Sequence, residues 1–324
     1  MSIIADVAIH SSQFPESVRS DLLESLRTRR VNHKFHYDSV KQTQKWLALH
    51  DAHSPSRNDT DCAAVYDQCF KAALERIKAK QIHVLGLGCG GGQKDAQLLK
   101  LLAERGIEMS YTPCDVSVAM VLVARQATLS LVKHCHPLVC DLATADDLLG
   151  TLCERIPQDA PRLTTFFGMI PNFEPEVILP KLAAFVRRSD CLLFSANLAP
   201  GTDYAAGMEK ILPQYDNALT RDWLMTFLLD LGVDRDDGEL RFTTESGGVD
   251  LKRVMVRFVF RRERSIAVGS ESFRFCRGEA IQLFFSYRYT PERIVEVLGR
   301  HELTVLDQRV ATSGEEGVFL CARQ

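Results

Sequence analysis

The stretch Val84–Asp95, VLGLGCGGGQKD, carries five glycines in the seven positions Gly86–Gly92. An apolar run, IHVLGLG, leads into it, and QKDAQLLKLLAERG leads out with helical periodicity. Glycines between a buried strand and an amphipathic helix form a corner whose backbone amides and helix N-terminus suit a nucleotide-like cofactor. A phosphate-binding P-loop is excluded, because Gln93 precedes Lys94 and the acidic Asp95 follows it, where that motif needs Gly-Lys-Ser/Thr. The dinucleotide spacing G-x-G-x-x-G is met at Gly86, Gly88 and Gly91, a match that alone discriminates little.

From Gln81 the chain alternates between strands and helices. The strand candidates are IHVLGLG, MSYTPCD, HPLVCD, RLTTFFGM and DCLLFSANL, with helices starting near Lys94, Ser117, Thr144 and Glu174. Ser117 and Thr144 have the chemistry of N-caps. Continuous apolar strands between amphipathic helices predict a parallel sheet covered on both faces. The alternation stops at LAPGTDY, near Pro200. Beyond it, LKRVMVRFVFRRE and AIQLFFSYRY have the period of antiparallel strands, TPERIVEVLGR that of a helix, and LTVLDQRV and GVFLCAR those of two final strands. Residues 14–80 read as helices joined by polar loops. The expected fold is α/β: a Rossmann-like domain from 61–199 and 286–324, beside a second α+β unit from 1–60 and 200–285.

The bulk properties narrow the partners. A net charge of −3 over 324 residues gives no reason to expect a nucleic acid, and basic runs such as RRER from Arg261 are short. Ten cysteines without a C-x-x-C pair read as free thiols of a reducing compartment rather than a zinc site or disulfide framework. The N-terminus lacks the pattern of a signal peptide, and no apolar run reaches the roughly 18 residues of a membrane span. The expectation is a cytoplasmic protein without a membrane partner, monomeric by default, that takes a small molecule.

Two acids sharpen the cofactor. Asp115 ends the second strand, where ribose hydroxyls of either NAD or S-adenosylmethionine need an acceptor. Asp141 ends the third strand, where a methyltransferase places an acceptor for the adenine amino group. FFGMIPNFEP ends the fourth, where a transferred methyl would project. No catalytic His, Lys or Tyr motif of a dehydrogenase stands out in the second half. The residues therefore favour S-adenosylmethionine, with an NAD-dependent oxidoreductase as the alternative.

YTPCDVS, VCDL, FFGMIPNFEP, QYDNALTRDWLMTFLLDLG and GEAIQLFFSYRYTPERI together resemble the histidine-specific Nα-methyltransferases of ergothioneine biosynthesis, a family that includes N-methylators of prenylated tryptophan. The resemblance runs with gaps from about residue 33 to 322. It implies a Rossmann-like domain for S-adenosylmethionine and a second domain for an amino-acid substrate. In the cofactor site it implies Gly86 and Gly88, with Cys89 in place of a small polar residue and a loop about two residues longer than usual. Lys94 aligns with a lysine near the cofactor carboxylate. Asp115 with the following Val116 falls at the ribose, Asp141 with Leu142 at the adenine, and Gly168 at the pocket floor.

The same resemblance places Asn172 at the substrate α-amino group and Tyr37 on an N-terminal lid, the two candidate catalytic residues. Ser286 keeps a family serine, but Phe284 stands where histidine methylators have glutamate, and His53 and Ser54 replace a tyrosine pair. An imidazole N–H facing Phe284 would lose an acceptor worth roughly 1–3 kcal/mol when buried. An amine other than unmodified histidine is therefore expected, with histidine itself as one alternative and a catalytically silent S-adenosylmethionine binder as another. His53 doubles as a candidate proton acceptor. The pairs His33/His36 and His50/His53 read as solvated loop residues rather than a metal site, and Trp223 as core. No metal is expected.

Overall fold

The computed structural model describes residues 4–156, 160–248 and 250–323. In chain order its strands are β1 (Ala8–Ile9), β2 (Gln81–Leu87), β3 (Glu108–Asp115), β4 (His134–Cys135), β5 (Leu138–Val139), β6 (Arg162–Phe167), β7 (Cys191–Asn197), β8 (Gly238–Ser246), β9 (Lys252–Phe260), β10 (Arg264–Val268), β11 (Glu271–Phe275), β12 (Ala280–Arg288), β13 (Leu303–Val310) and β14 (Glu316–Arg323). The chain divides into two compact units. The first comprises Met1–Gln13, Pro55–Leu198 and Tyr289–Gln324, and the second Phe14–Ser54 and Ala199–Arg288.

The first unit is Rossmann-like. Its sheet has the order β1-β5-β3-β2-β6-β7-β14-β13, with β4 also on β3. All pairs from β1 to β7 are parallel, and β14 runs antiparallel to both β7 and β13. Every residue of β2 after Gln81 is buried, as a central strand covered on both faces requires. Val84, Leu98, Leu102, Tyr111 and Leu163 share its core. Successive connections leave β2 in opposite directions, so the crevice beyond its carboxyl end is the topological switch point where such sheets bind ligands.

Four expectations need correction here. Ala199 and residues 286–288 were expected in the first unit but belong to the second. The first thirteen residues were expected in the second unit, but Ala8 and Ile9 pair with Leu138 and Val139 at the edge of the first unit's sheet. Residues 55–60 also belong to the first unit. Thr144 does not begin a helix: the helix runs Leu148–Arg155 behind Asp147. Lys181 Nζ donates to the carbonyls of Ala143 and Ala145 at 2.7 and 3.0 Å, so a lysine satisfies the turn that helical amides would otherwise serve. Ser117 does cap its helix, accepting the Met120 amide at 3.3 Å.

The second unit packs an antiparallel sheet, β12-β9-β8, and the hairpin β10-β11 with helices Pro15–Thr28, Val40–His53, Tyr204–Tyr215 and Ala218–Asp230. Trp223, Leu224, Phe227 and Leu228 enter its core beside Phe258 and Phe260. Nine cysteines, Cys62, Cys69, Cys89, Cys114, Cys135, Cys140, Cys191, Cys276 and Cys321, are free thiols. Cys62, Cys69, Cys114, Cys140 and Cys321 are buried, whereas Cys276 is exposed. Burial pushes the Cys62 and Cys69 thiols up to about 12. Among the described residues no helix is long and apolar enough to cross a membrane.

Candidate active site

The glycine loop is shaped first by the protein itself. A Cβ on Gly86 would lie 2.3 Å from Asp95 Oδ2, and one on Gly88, at φ +64°, 2.5 Å from the Met169 side chain. The absent side chains thus admit Asp95 and Met169 of the protein itself. Asp95 accepts the Tyr111 hydroxyl at 2.6 Å and the Thr165 hydroxyl at 2.8 Å, tying the loop helix to β3 and β6. Its burial raises its pKa against the opposing pull of these hydrogen bonds. Gly92, at φ +73°, precedes helix Gln93–Glu104, and its missing Cβ would meet Ala124 Cα at 2.6 Å. Two helices therefore approach closely here.

Gly168 differs from the others. It has φ +67°, and nothing lies within 4 Å of the Cβ it lacks. Its amide donates to Ser195 Oγ at 2.8 Å, which fixes the end of β6 against β7. The 3-10 turn Ile170–Asn172 follows, and the Asn172 side chain makes no hydrogen bond among the described residues.

Asp115 closes β3 beside this crevice. Its two oxygens accept the Gly90 amide at 3.0 Å and the Ser117 amide at 3.1 Å, leaving lone pairs for further donors. Burial pushes its carboxyl up to about 6, the backbone donors opposing the rise. Cys89 donates its amide to Cys114 O at 3.0 Å, which fastens the loop to β3. Burial raises its thiol well above the usual range, with Asp115 adding to the rise. Val116 is partly exposed. Asp141 and Leu142 are buried, and Asp141 Oδ1 accepts the Ala143 amide at 2.9 Å.

Lys94 is engaged by the protein. Its ammonium donates to Tyr66 Oη at 2.6 Å and lies 3.6 Å from Glu316 Oε1. Tyr66 also donates to Glu316 and lies 2.9 Å from Ser195 Oγ, the group that anchors Gly168. Sequence reading missed Tyr66, Ser195 and Glu316. They stand on three separate elements, and only the sheet brings them together.

In the second unit, Phe284 is 6% exposed and its ring lies parallel to His33 at 5.0 Å, with Trp223 at 5.6 Å and Tyr215 at 6.3 Å. Ser286 accepts the Tyr215 hydroxyl at 2.7 Å, and Arg288 donates to that same hydroxyl at 2.8 Å. Tyr37 lies 5.4 Å from Trp223 and 6.1 Å from Trp46. His53 is exposed in the last turn of helix Val40–His53.

The other histidines correct the solvated-loop reading. His36 is fully buried and donates through Nε2 to Leu283 O at 2.7 Å, while His33 Nε2 accepts the Phe285 amide at 3.3 Å. Two imidazoles thus satisfy an edge strand on either side of Phe284, where β12 departs from regular pairing between Gln282 and Phe284. Burial holds their pKa values down, to about 3 for His33 and about 4 for His36. Among the described residues no three His, Cys, Asp or Glu side chains gather as a metal site.

Residues 18–323 match the family of histidine-specific, S-adenosylmethionine-dependent methyltransferases. The chain belongs to that family. The N-methyltransferase imqF of Aspergillus flavus is 24% identical over 282 residues, spanning 83% of this chain and 73% of that protein. Among solved structures, the CcbJ methyltransferase of Streptomyces caelestis has a TM-score of 0.39 at 12% identity, covering 80% of this chain and 94% of its own. The mitomycin 7-O-methyltransferase MmcR has a TM-score of 0.43 at 14% identity, covering 96% of this chain and 69% of its own.

The protein is an S-adenosylmethionine-dependent methyltransferase, which sets aside the NAD-dependent alternative. The first unit's residues fit that cofactor. The open space at Gly168 and the buried, still unsaturated carboxylate of Asp115 offer room and an acceptor at the switch point.

Proposed function

We propose that this methyltransferase N-methylates an amino acid or amino-acid-derived amine with an apolar or aromatic side chain, not unmodified histidine. Phe284 carries the reading. It is enclosed by His33, Trp223 and Tyr215 at the position where histidine methylators align a glutamate. A buried imidazole N–H at this position meets rings instead of a carboxylate, a loss of about 1–3 kcal/mol. The weakly similar N-methyltransferase of Aspergillus flavus agrees with nitrogen as the acceptor atom.

When bound, S-adenosylmethionine supplies an electrophilic methyl group on a sulfonium. Asp115 would accept from the ribose and Asp141 from the adenine amino group, with Gly168 leaving the floor clear. The remaining task of the chain is alignment, because displacement at a methyl needs the acceptor lone pair in line at roughly 3 Å. The carboxamide of Asn172, with no partner of its own among the described residues, would orient the neutral amine. It cannot serve as a base, so the amine's proton leaves to solvent.

Calorimetry in the presence of S-adenosylhomocysteine tests the reading. Phenylalanine, tyrosine, tryptophan and their alkylated derivatives are titrated beside histidine. Saturable binding within the aromatic set and none by histidine is expected. Micromolar binding of histidine would return the enzyme to the family's eponymous substrate.

A further inference from the structure

The short segment Ala8–Gln13 lies against the turn that carries Asp141. After β1 joins β5, the His10 amide donates to Val139 O at 2.9 Å, continuing the strand pairing by one bond. The chain then folds back, and Ser12 Oγ accepts the Asp141 amide at 3.0 Å. Ser12 is itself held. Its amide donates to His10 Nδ1 at 3.1 Å, and its hydroxyl lies 3.0 Å from the same nitrogen. A His10 Nδ1 that accepts places the ring proton on Nε2, which donates to Asp147 Oδ1 at 2.8 Å. His10 is 8% exposed, so this ring is a fixed strut.

The turn from Asp141 to Asp147 is thereby held at one end by Ser12 and at the other by His10, both distant from it in sequence. Lys181 holds its middle through the carbonyls of Ala143 and Ala145. The side-chain amide nitrogen of Gln13 is buried and meets no acceptor among the described residues, the kind of donor a purine ring nitrogen would satisfy.

We propose that the segment His10–Gln13 is a positioning element for the adenine end of the cofactor site, acting through Ser12 on the backbone of Asp141. The inference rests on the reading of Asp141 as acceptor for the adenine amino group. Freed of Ser12, the Asp141 amide loses its acceptor, and the carboxylate keeps only the Ala143 amide to direct it. The consequence is lost discrimination for the amino group.

Calorimetry of the whole chain with two probes tests this: S-adenosylhomocysteine, and S-inosylhomocysteine, in which a carbonyl replaces the amino group. The wild type is expected to prefer the first. Ser12→Ala should weaken the adenosyl compound about tenfold, the scale of one lost hydrogen bond, and leave the inosyl compound nearly unchanged. Ser12→Thr, which keeps the hydroxyl, should restore the preference. His10→Ala should compress it in the same direction and carries the test should Ser12→Ala not fold. Equal weakening of both probes, or no change in either, overturns the positioning role. Asp141→Ala separates the two ideas: an unaltered preference there defeats the adenine assignment itself, whereas a lost preference with an indifferent Ser12→Ala defeats only the clasp.

Discussion

At the scale of single residues, the carboxylate of Asp115 is held at a pKa of about 6 by burial. A raised acid binds its proton in the folded state at a pH where the unfolded chain has released it. The buried charge therefore costs stability above pH 6, about 3 kcal/mol, and the cost is relieved as pH falls from 6 toward 3.8. Ligand binding has the opposite sense, because donors from a ribose favour the charged form. S-adenosylhomocysteine affinity, measured calorimetrically between pH 5 and 8, should fall by up to tenfold per unit below pH 6. In Asp115→Asn it should be weak and flat. Gly168 gives a companion prediction. With open space at its missing Cβ, Gly168→Ala should cost only the backbone strain of φ +67°, about 1–2 kcal/mol, in denaturant unfolding. The same methyl group, on the floor proposed for the cofactor, should lower S-adenosylhomocysteine affinity by at least tenfold.

Among elements, the contact of helix Gln93–Glu104 with helix Val118–Thr128 depends on Gly92. There an added Cβ meets backbone rather than a movable side-chain tip. Gly92→Ala should destabilise the first unit by about 2–4 kcal/mol in urea unfolding, from strain and overpacking together. The buried histidines of the edge strand set another dependence. Their depressed pKa values contribute stability that is present above pH 6.5 and is lost as pH falls through that value toward 4. The urea midpoint of the second unit should decline over this window, and His36→Phe should flatten the decline.

The elements also show which features are visible in a single sequence. The parallel strands were legible because each is a nearly continuous apolar run, and the glycine corner because it is local. β8, GELRFTTES, and the hairpin RSIAV/ESFRF were not, since charged residues on their exposed faces dilute the period-two signal. The histidines of NHKFHY looked solvated because the carbonyl and amide they serve lie near Leu283 and Phe285, some 250 residues away. Asp95 was legible only as a poor phosphate neighbour, while its partners Tyr111 and Thr165 come from other strands. Two-residue strands such as Ala8–Ile9 carry no periodicity at all.

For the whole molecule, cofactor binding is linked to the unfolding equilibrium. S-adenosylhomocysteine at 100 times its dissociation constant should stabilise the first unit by about 2.7 kcal/mol, seen as a raised melting temperature, whereas NADH should leave it unmoved. The distribution of thiols has a practical consequence. Cys276 sits in solvent just beyond β11, while the sulfurs of Cys62, Cys69, Cys114 and Cys321 are sealed in and raised in pKa. Thiolate chemistry follows exposure and acidity. A maleimide dye added sparingly at neutral pH should therefore attach first at Cys276, giving the second unit a fluorescent reporter without any engineered substitution.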